Sequence, residues 1–250
     1  NMIFLRSKNL ESSKHGFFCR LGGVSESIYK SLNCGYSSSD EKQNVTKNRE
    51  LILSKLNSNT KNLVIPSQYH SNKVKILNKE KFLYKCDGLI NTHKGITLGV
   101  LTADCCPVLI SHKQKKLTGV IHAGWKGVHN GIIENFISKA NKLGFISDDL
   151  IFALGPCIGY KSYEVTKEFK NNFLKKYKNA KFHFKPKEFK NRFNFNLRGC
   201  IISILKSNNV SDIWASQADT YKFPSKYFSY RYSIHKGNKD YGRMLSVILS

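Results

Sequence analysis

At 250 residues, 40% of them hydrophobic, the chain is long enough to bury one substantial core, and its length demands no second domain. No stretch approaches the roughly eighteen uninterrupted apolar residues that span a bilayer, and Met2 to Glu11 holds no signal-peptide apolar region, so a cytoplasmic protein without a membrane partner is expected. The formal charge of +24, from 41 basic against 17 acidic residues, would attract nucleic acid or phosphorylated ligands, yet the lysines are spread along the chain and form no single basic helix or aromatic-interleaved stripe, which places a dedicated nucleic-acid role last.

Asn1 precedes a methionine and reads as a cloning remnant, so residues 2–250 are taken as one domain. In chain order, the first predicted helix starts near Asp40, which with Gln43 makes a capping-box pattern before Val45, Leu51, Ile52 and Leu56, and it ends by Asn57. Short apolar runs follow at Leu63–Ile65, Ile96–Leu101, Val108–Ile110 and Leu117–Ile121, and these read as strands. A second helix carries Ile132, Ile133, Phe136, Ile137 and Ala140 on one face and stops at Gly144. A third follows Thr166 through Phe169 and Phe173, and a fourth runs from Asn196 through Leu197, Ile201, Ile204 and Leu205. Strands and helices mix without strict alternation, which predicts an α/β (mixed α+β) layered domain with a mixed sheet rather than a doubly wound one.

Seven cysteines, an odd number scattered through a chain too large to need stapling, argue for free thiols and against a disulfide framework. Cys105 and its neighbours stand out. In Gly99-Val100-Leu101-Thr102-Ala103-Asp104-Cys105-Cys106-Pro107-Val108-Leu109-Ile110 an apolar strand is interrupted by Asp and Cys, Pro107 is expected to break the ladder, and the strand then resumes. A carboxylate in such company must be hydrogen-bonded or face a cleft, which makes Asp104 a candidate orienting group. The run Leu117–Ile121 ends in His122 before the glycine-rich Ala123-Gly124-Trp125-Lys126-Gly127, and Ser67-Gln68-Tyr69-His70 follows Leu63–Ile65, so two histidines lie after strand ends, where open sheets place ligand sites.

Two imidazoles and a thiolate at His70, Cys105 and His122 would make a three-ligand zinc or copper set with a fourth position free. The same trio could work without metal, a histidine lowering the Cys105 pKa and the second histidine or Asp104 orienting it. The separations match no local metal motif, and Gly119-x4-Gly124 lacks the Lys-Ser or Lys-Thr of a phosphate-binding loop. Arg20, Arg231 and Arg243 lie beside glycine or aromatic residues and are candidates to hold an oxyanion.

Taken together, the segments His15-Gly16-Phe17-Phe18-Cys19-Arg20-Leu21-Gly22-Gly23, Ser31-Leu32-Asn33, Asn48-Arg49, Gln68-Tyr69-His70, Cys86-Asp87-Gly88, Thr102-Ala103-Asp104-Cys105, His122-Ala123-Gly124-Trp125, Gly155-Pro156-Cys157, Tyr163-Glu164-Val165, Phe228-Ser229-Tyr230-Arg231 and Gly242-Arg243 resemble the YfiH-like laccase-domain family. The likeness spans almost the whole chain. It implies a cysteine-hydrolase-like fold and assigns His70, Cys105 and His122 to the family's catalytic and metal-binding triad, leaving Cys106 a bystander. It further implies phosphorolysis of adenosine, inosine and methylthioadenosine with inorganic phosphate as co-substrate, together with adenosine deamination. The chain departs from the family pattern at Cys19, where Thr is usual, at Lys126 for Arg, and at Tyr232 for a second Arg. On this reading Arg20, Asp104, Arg231 and Arg243 contact substrate or phosphate, and the partner is a small nucleoside, bound by a monomer or homodimer. Copper-dependent polyphenol oxidation ranks lower, because a laccase clusters several coppers with more histidines than the eight present can supply. A cysteine-dependent hydrolase or amidase acting on peptidoglycan precursors is the other alternative.

Overall fold

The longer strands of this chain are rich in apolar residues and buried at nearly every position, so they find cover on both faces. The structure, a computed structural model, describes residues 2–78, 83–114 and 116–250, so Asn1 lies outside the described residues. In chain order its elements begin with β1 (Phe4–Leu5), β2 (Lys14–Phe18), α1 (Lys42–Lys55), β3 (Leu63–Val64), β4 (Val74–Ile76), β5 (Gly88–Asn91) and β6 (Thr97–Thr102). They continue with β7 (Cys106–His112), β8 (Thr118–Ala123), α2 (Trp125–His129), α3 (Ile132–Lys142), β9 (Leu150–Leu154), β10 (Glu164–Thr166) and α4 (Lys167–Lys176). The last are β11 (Phe184–Pro186), β12 (Arg192–Phe195), α5 (Leu197–Ser207), β13 (Asp212–Ala215), α6 (Tyr230–His235) and β14 (Met244–Leu249).

Two mixed sheets stack face to face. One has the order β1-β2-β14-β6-β3 and the other β13-β9-β7-β8-β5-β4, while β10, β12 and β11 form a small antiparallel sheet beside them. The alternation of side chains along each strand divides the apolar residues between layers. Phe17, Leu98, Val100 and Ile248 of the first sheet meet Leu89, Leu109, Val120 and Ala153 of the second in the space between the sheets. Their neighbours Phe18, Leu245 and Val247 face the other way, onto Ile52 and Leu56 of α1 and its C-terminal end. Ile90, Val108, Ile110, Ile121 and Phe152 turn outward onto Ile133, Phe136 and Ile137 of α3 and Ile201 and Leu205 of α5. The result is helix, sheet, sheet, helix, in agreement with the expected α/β class but with two stacked mixed sheets where one was expected.

The helices at Ile132, Thr166 and Asn196 form where the periodicity places them, and their ends are chemically satisfied. Thr166 Oγ1 accepts from Phe169 N, Asn196 accepts from Gly199 N, and Gly144 takes a positive φ of 84° after the last turn of α3. Two local expectations fail. The Asp40–Gln43 capping box does not form: Asp40 Oδ2 instead accepts from Ser25 Oγ and Asn33 Nδ2, and α1 starts after Glu41 with no side-chain cap. Pro107 does not break the ladder but lies inside β7, paired with His122. Its carbonyl accepts from Gly155 N on the β9 side, beyond the last paired residue of β9, so the missing N–H falls where no ladder bond is due.

Gly119 in β8 lets α3 close on the sheet, because a Cβ there would collide with the ring of the fully buried Phe136. Gly119→Ala is therefore expected to destabilise the protein by about 1–3 kcal/mol. Urea unfolding checks this, and an unchanged midpoint would show that α3 can yield.

Candidate active site

The three predicted residues converge. His70 follows β3 in a loop, Cys105 sits in the turn between β6 and β7, and His122 lies near the end of β8. One ligand atom from each lies within 4.8 Å of the others, with Cys105 Sγ 3.8 Å from His70 Nε2. The imidazole rings of His70 and His122 meet edge to face, their centroids 4.7 Å apart. Gly124 permits this approach, since a Cβ there would sit 2.9 Å from Cys105 Sγ and 3.0 Å from His70 Cδ2.

What holds the trio is Asp87, at the entrance to β5. Its side chain is fully buried and accepts at 2.8 Å from His122 Nδ1. The same carboxylate accepts from three consecutive backbone amides, those of Tyr69, His70 and Ser71, and from Ser71 Oγ at 2.7 Å. Successive amides wrapped around an anion form a nest, a geometry that needs left-handed backbone, and His70 supplies it with a φ of 62°. One carboxylate thus fixes the backbone that carries His70 and the ring orientation of His122, leaving His122 Nε2 turned toward the donor set.

Asp104, expected as the orienting group, does other work. Its backbone is also left-handed, with φ at 91°, and its carboxylate accepts at 2.6 Å from Thr220 Oγ1 and at 2.8 Å from Arg231 N. It therefore pins the segment that leads into α6, and burial pushes its pKa up despite those bonds. Asp87 escaped the sequence reading as a functional residue, although it too is a carboxylate at the edge of an apolar strand, before Gly88-Leu89-Ile90. Like Asp104, a carboxylate there must be hydrogen-bonded or face a cleft.

Electrostatics set the protonation of the trio. Burial alone would raise the Cys105 pKa, but the charge of His122 and hydrogen bonds from His122 and His70 bring it down to about 6. Burial likewise opposes charge on His122, yet the Cys105 thiolate and the Asp87 carboxylate raise it to about 9. For Asp87, burial is outweighed by bonds from His122 and Ser71, which hold it at about 2. The Cys105 proton leaves as pH rises through about 6 and the His122 proton stays until about 9, so a thiolate–imidazolium pair occupies the window between. Cys19, Cys34, Cys86, Cys106, Cys157 and Cys200 are free, buried thiols.

His70 and Cys105 open into a cavity of about 470 Å³ lined by Ala103, Asp104, Trp125, Lys126, Ile158, Tyr163, Leu197, Tyr230, Arg231 and Tyr241. Arg231 is the one predicted arginine at this cavity. It lies over the Tyr163 ring at 5.0 Å and donates from Nη1 to Glu164 O at 2.6 Å. Arg20 lies elsewhere, its guanidinium consumed by the carbonyls of Lys30 and Pro224. Arg243 does not line the cavity: it sits behind Tyr241, donating to Tyr241 O and pairing with Asp240 at 3.8 Å. The cation that the sequence reading passed over is Lys126, on α2, where a glycine-rich turn was expected and a short helix forms.

The donor set fits a zinc or copper ion: two neutral-capable imidazoles and a thiolate converge, and the cavity side is open for a further ligand. Alkylation of Cys105 by iodoacetamide should rise through an inflection near pH 6 in metal-stripped protein, well below the ordinary thiol range near 8.5. An inflection at the ordinary value would contradict the ion pair.

Comparison with known proteins shows the family and the fold. Residues 14–250 match the family described as multi-copper polyphenol oxidoreductase laccase. A purine nucleoside phosphorylase of Rickettsia prowazekii is 37% identical over 190 residues, covering 75% of this chain and 78% of its own, and one of Haemophilus influenzae is 29% identical over 96% of both chains. Among solved structures, a Neisseria meningitidis protein superposes with a TM-score of 0.87 at 25% identity, covering 100% of this chain and 98% of its own. Bacillus licheniformis YfiH superposes with a TM-score of 0.88 at 24% identity, covering 98% and 96%, a likeness of fold. The chain belongs to the multi-copper polyphenol oxidoreductase laccase family.

Proposed function

We propose that the chain is a purine nucleoside phosphorylase, converting adenosine, inosine or methylthioadenosine and inorganic phosphate to free base and sugar 1-phosphate. The observation that carries the reading is the placement of the His70–Cys105–His122 trio at one wall of a cavity that also holds aromatic faces and two cations, Lys126 and Arg231. Its volume of about 470 Å³ suits a nucleoside with an anion beside it. The rings of Trp125, Tyr163, Tyr230 and Tyr241 offer surfaces on which a base and sugar can stack. Asp104, the carboxylate at the cavity, already accepts from Thr220 and Arg231, so phosphate meets cations and no unpaired acid.

In this reaction a phosphate oxygen bonds to the anomeric carbon as the glycosidic bond breaks, and that bond's electron pair leaves on the base. The departing base needs a proton and the sugar passes through an oxocarbenium-like state. His70, the imidazole that faces the cavity, is placed to donate to the base. The Cys105 thiolate faces the same space and supplies negative charge toward the sugar, while His122 and Asp87 hold it there. Lys126 and Arg231 hold the phosphate, Arg231 as expected from the sequence and Lys126 in the place expected of Arg20. In place of that metal-free arrangement, deprotonated His70, Cys105 and His122 would hold a zinc or copper ion, which would supply Lewis-acid chemistry at the same wall instead of the His70 proton.

Adenosine deamination is a second activity of the same site, favoured by the open face of the three-donor set. Polyphenol oxidation has less support in the chain itself, since among the described residues one group of three metal-capable side chains is found.

Incubation with inosine and phosphate should yield hypoxanthine and ribose 1-phosphate, and Cys105→Ala and His70→Ala should each reduce turnover by about 100-fold or more. Lys126→Gln should raise the KM for phosphate more than that for nucleoside. Base release that does not depend on phosphate, or no turnover of any purine nucleoside by metal-replete protein, would overturn the reading and direct assays to peptidoglycan precursors and phenols.

A further inference from the structure

The two stacked sheets have a second open end. β7 runs seven residues from Cys106 to His112, so that end lies roughly 20 Å from the trio. There, between β2 and β14 of one sheet and β5, β7 and β8 of the other, is a separate cavity of about 530 Å³. Its rim carries Lys14, Lys94, Lys113 and Lys116, and no aspartate or glutamate side chain is among the described residues that line it.

The four lysines are exposed at the mouth of this cavity. Lys94 and Lys116 line the same mouth, close enough that Lys94 lowers the Lys116 pKa. Like charges in solution spread apart unless something else holds them or an anion sits between them. Beneath them the floor is polar and fixed. Asn91 is fully buried and donates to Thr118 Oγ1 and His93 O, while Ser13 Oγ bonds to Ser111 Oγ, so the wall of the cavity is held by the strand ends. Ammonium groups are point-charge binders of phosphate, and hydroxyls can complete the donor set.

We infer that this cavity is a binding site, distinct from the catalytic cavity, for a small polyanion carrying a diphosphate group, of mononucleotide size. Lys94 and Lys116 hold the diphosphate between them, Lys14 adds charge from the opposite sheet, and the volume behind the lysines accommodates one base and sugar. The excess of 41 basic over 17 acidic residues raises the local concentration of such ligands without selecting the site, whereas the facing lysines select it.

The test uses full-length protein in which Lys126→Gln and Arg231→Gln have removed the cations of the catalytic cavity. Calorimetric titration at low ionic strength with inorganic pyrophosphate, and separately with ADP, should show one equivalent bound. Adding Lys94→Gln and Lys116→Gln should weaken both by about tenfold or more. Tighter binding of ADP than of pyrophosphate would show that the base and sugar are held as well. In the otherwise natural chain, Lys94→Gln with Lys116→Gln should leave nucleoside turnover unchanged. The inference is overturned if neither probe binds, if binding ignores the two substitutions, or if only a single-stranded RNA oligonucleotide binds.

Discussion

The site depends on one buried carboxylate. Asp87 neutralises three successive amides that would otherwise be stranded, and it holds the ring of His122 by a 2.8 Å bond. Without a full negative charge at that point, the left-handed turn at His70 would have no compensation for its strain, which at such positions is on the order of 1–3 kcal/mol. The carboxylate also supplies part of the field that keeps His122 protonated, and that proton in turn keeps Cys105 ionised. Backbone geometry, ring orientation and thiol reactivity therefore share a single cause.

The layered architecture makes that cause possible. Strands covered on both faces give a rigid and dry frame, and the trio is delivered by the ends of elements in both sheets: β3 and β6 of one and β7 and β8 of the other. The stacking of the sheets thus brings together residues that no local motif could hold. Asp104 completes the assembly from the other side of Cys105, tying the turn between the sheets to the segment that carries Arg231 into the cavity. The two carboxylates divide the work, Asp87 fixing the reactive groups and Asp104 fixing the wall that faces them.

Much of this was legible in the residues. Amphipathic periodicity located α3, α4 and α5, and their caps at Thr166, Asn196 and Gly144 were readable from residue type alone. The strand-end positions of His70, Cys105 and His122 offered them as a set that could converge, and the resemblance named them a triad, since their spacing matches no local metal motif. The second sheet was not legible, because an apolar strand buried between two layers reads the same whichever layers cover it. Of the three arginines, Arg231 reaches the cavity and Arg20 does not: a guanidinium beside glycine and aromatic residues suits an oxyanion, but it equally suits a set of backbone carbonyls, and Arg20 found the latter. Lys126 was noted only as a departure from pattern, and its place on the cavity wall follows from α2, a helix too short to show a period.

The central claim is that Asp87 sets the charge state of the trio, and histidine nitrogen NMR on metal-stripped protein tests it most directly. The account predicts that His122 is an imidazolium with a proton on Nδ1 from pH 6 to about pH 9, and that Asp87→Asn lowers its pKa by at least one unit. A His122 that is neutral at pH 7 in the natural chain, or one whose titration is unmoved by Asp87→Asn, would contradict it.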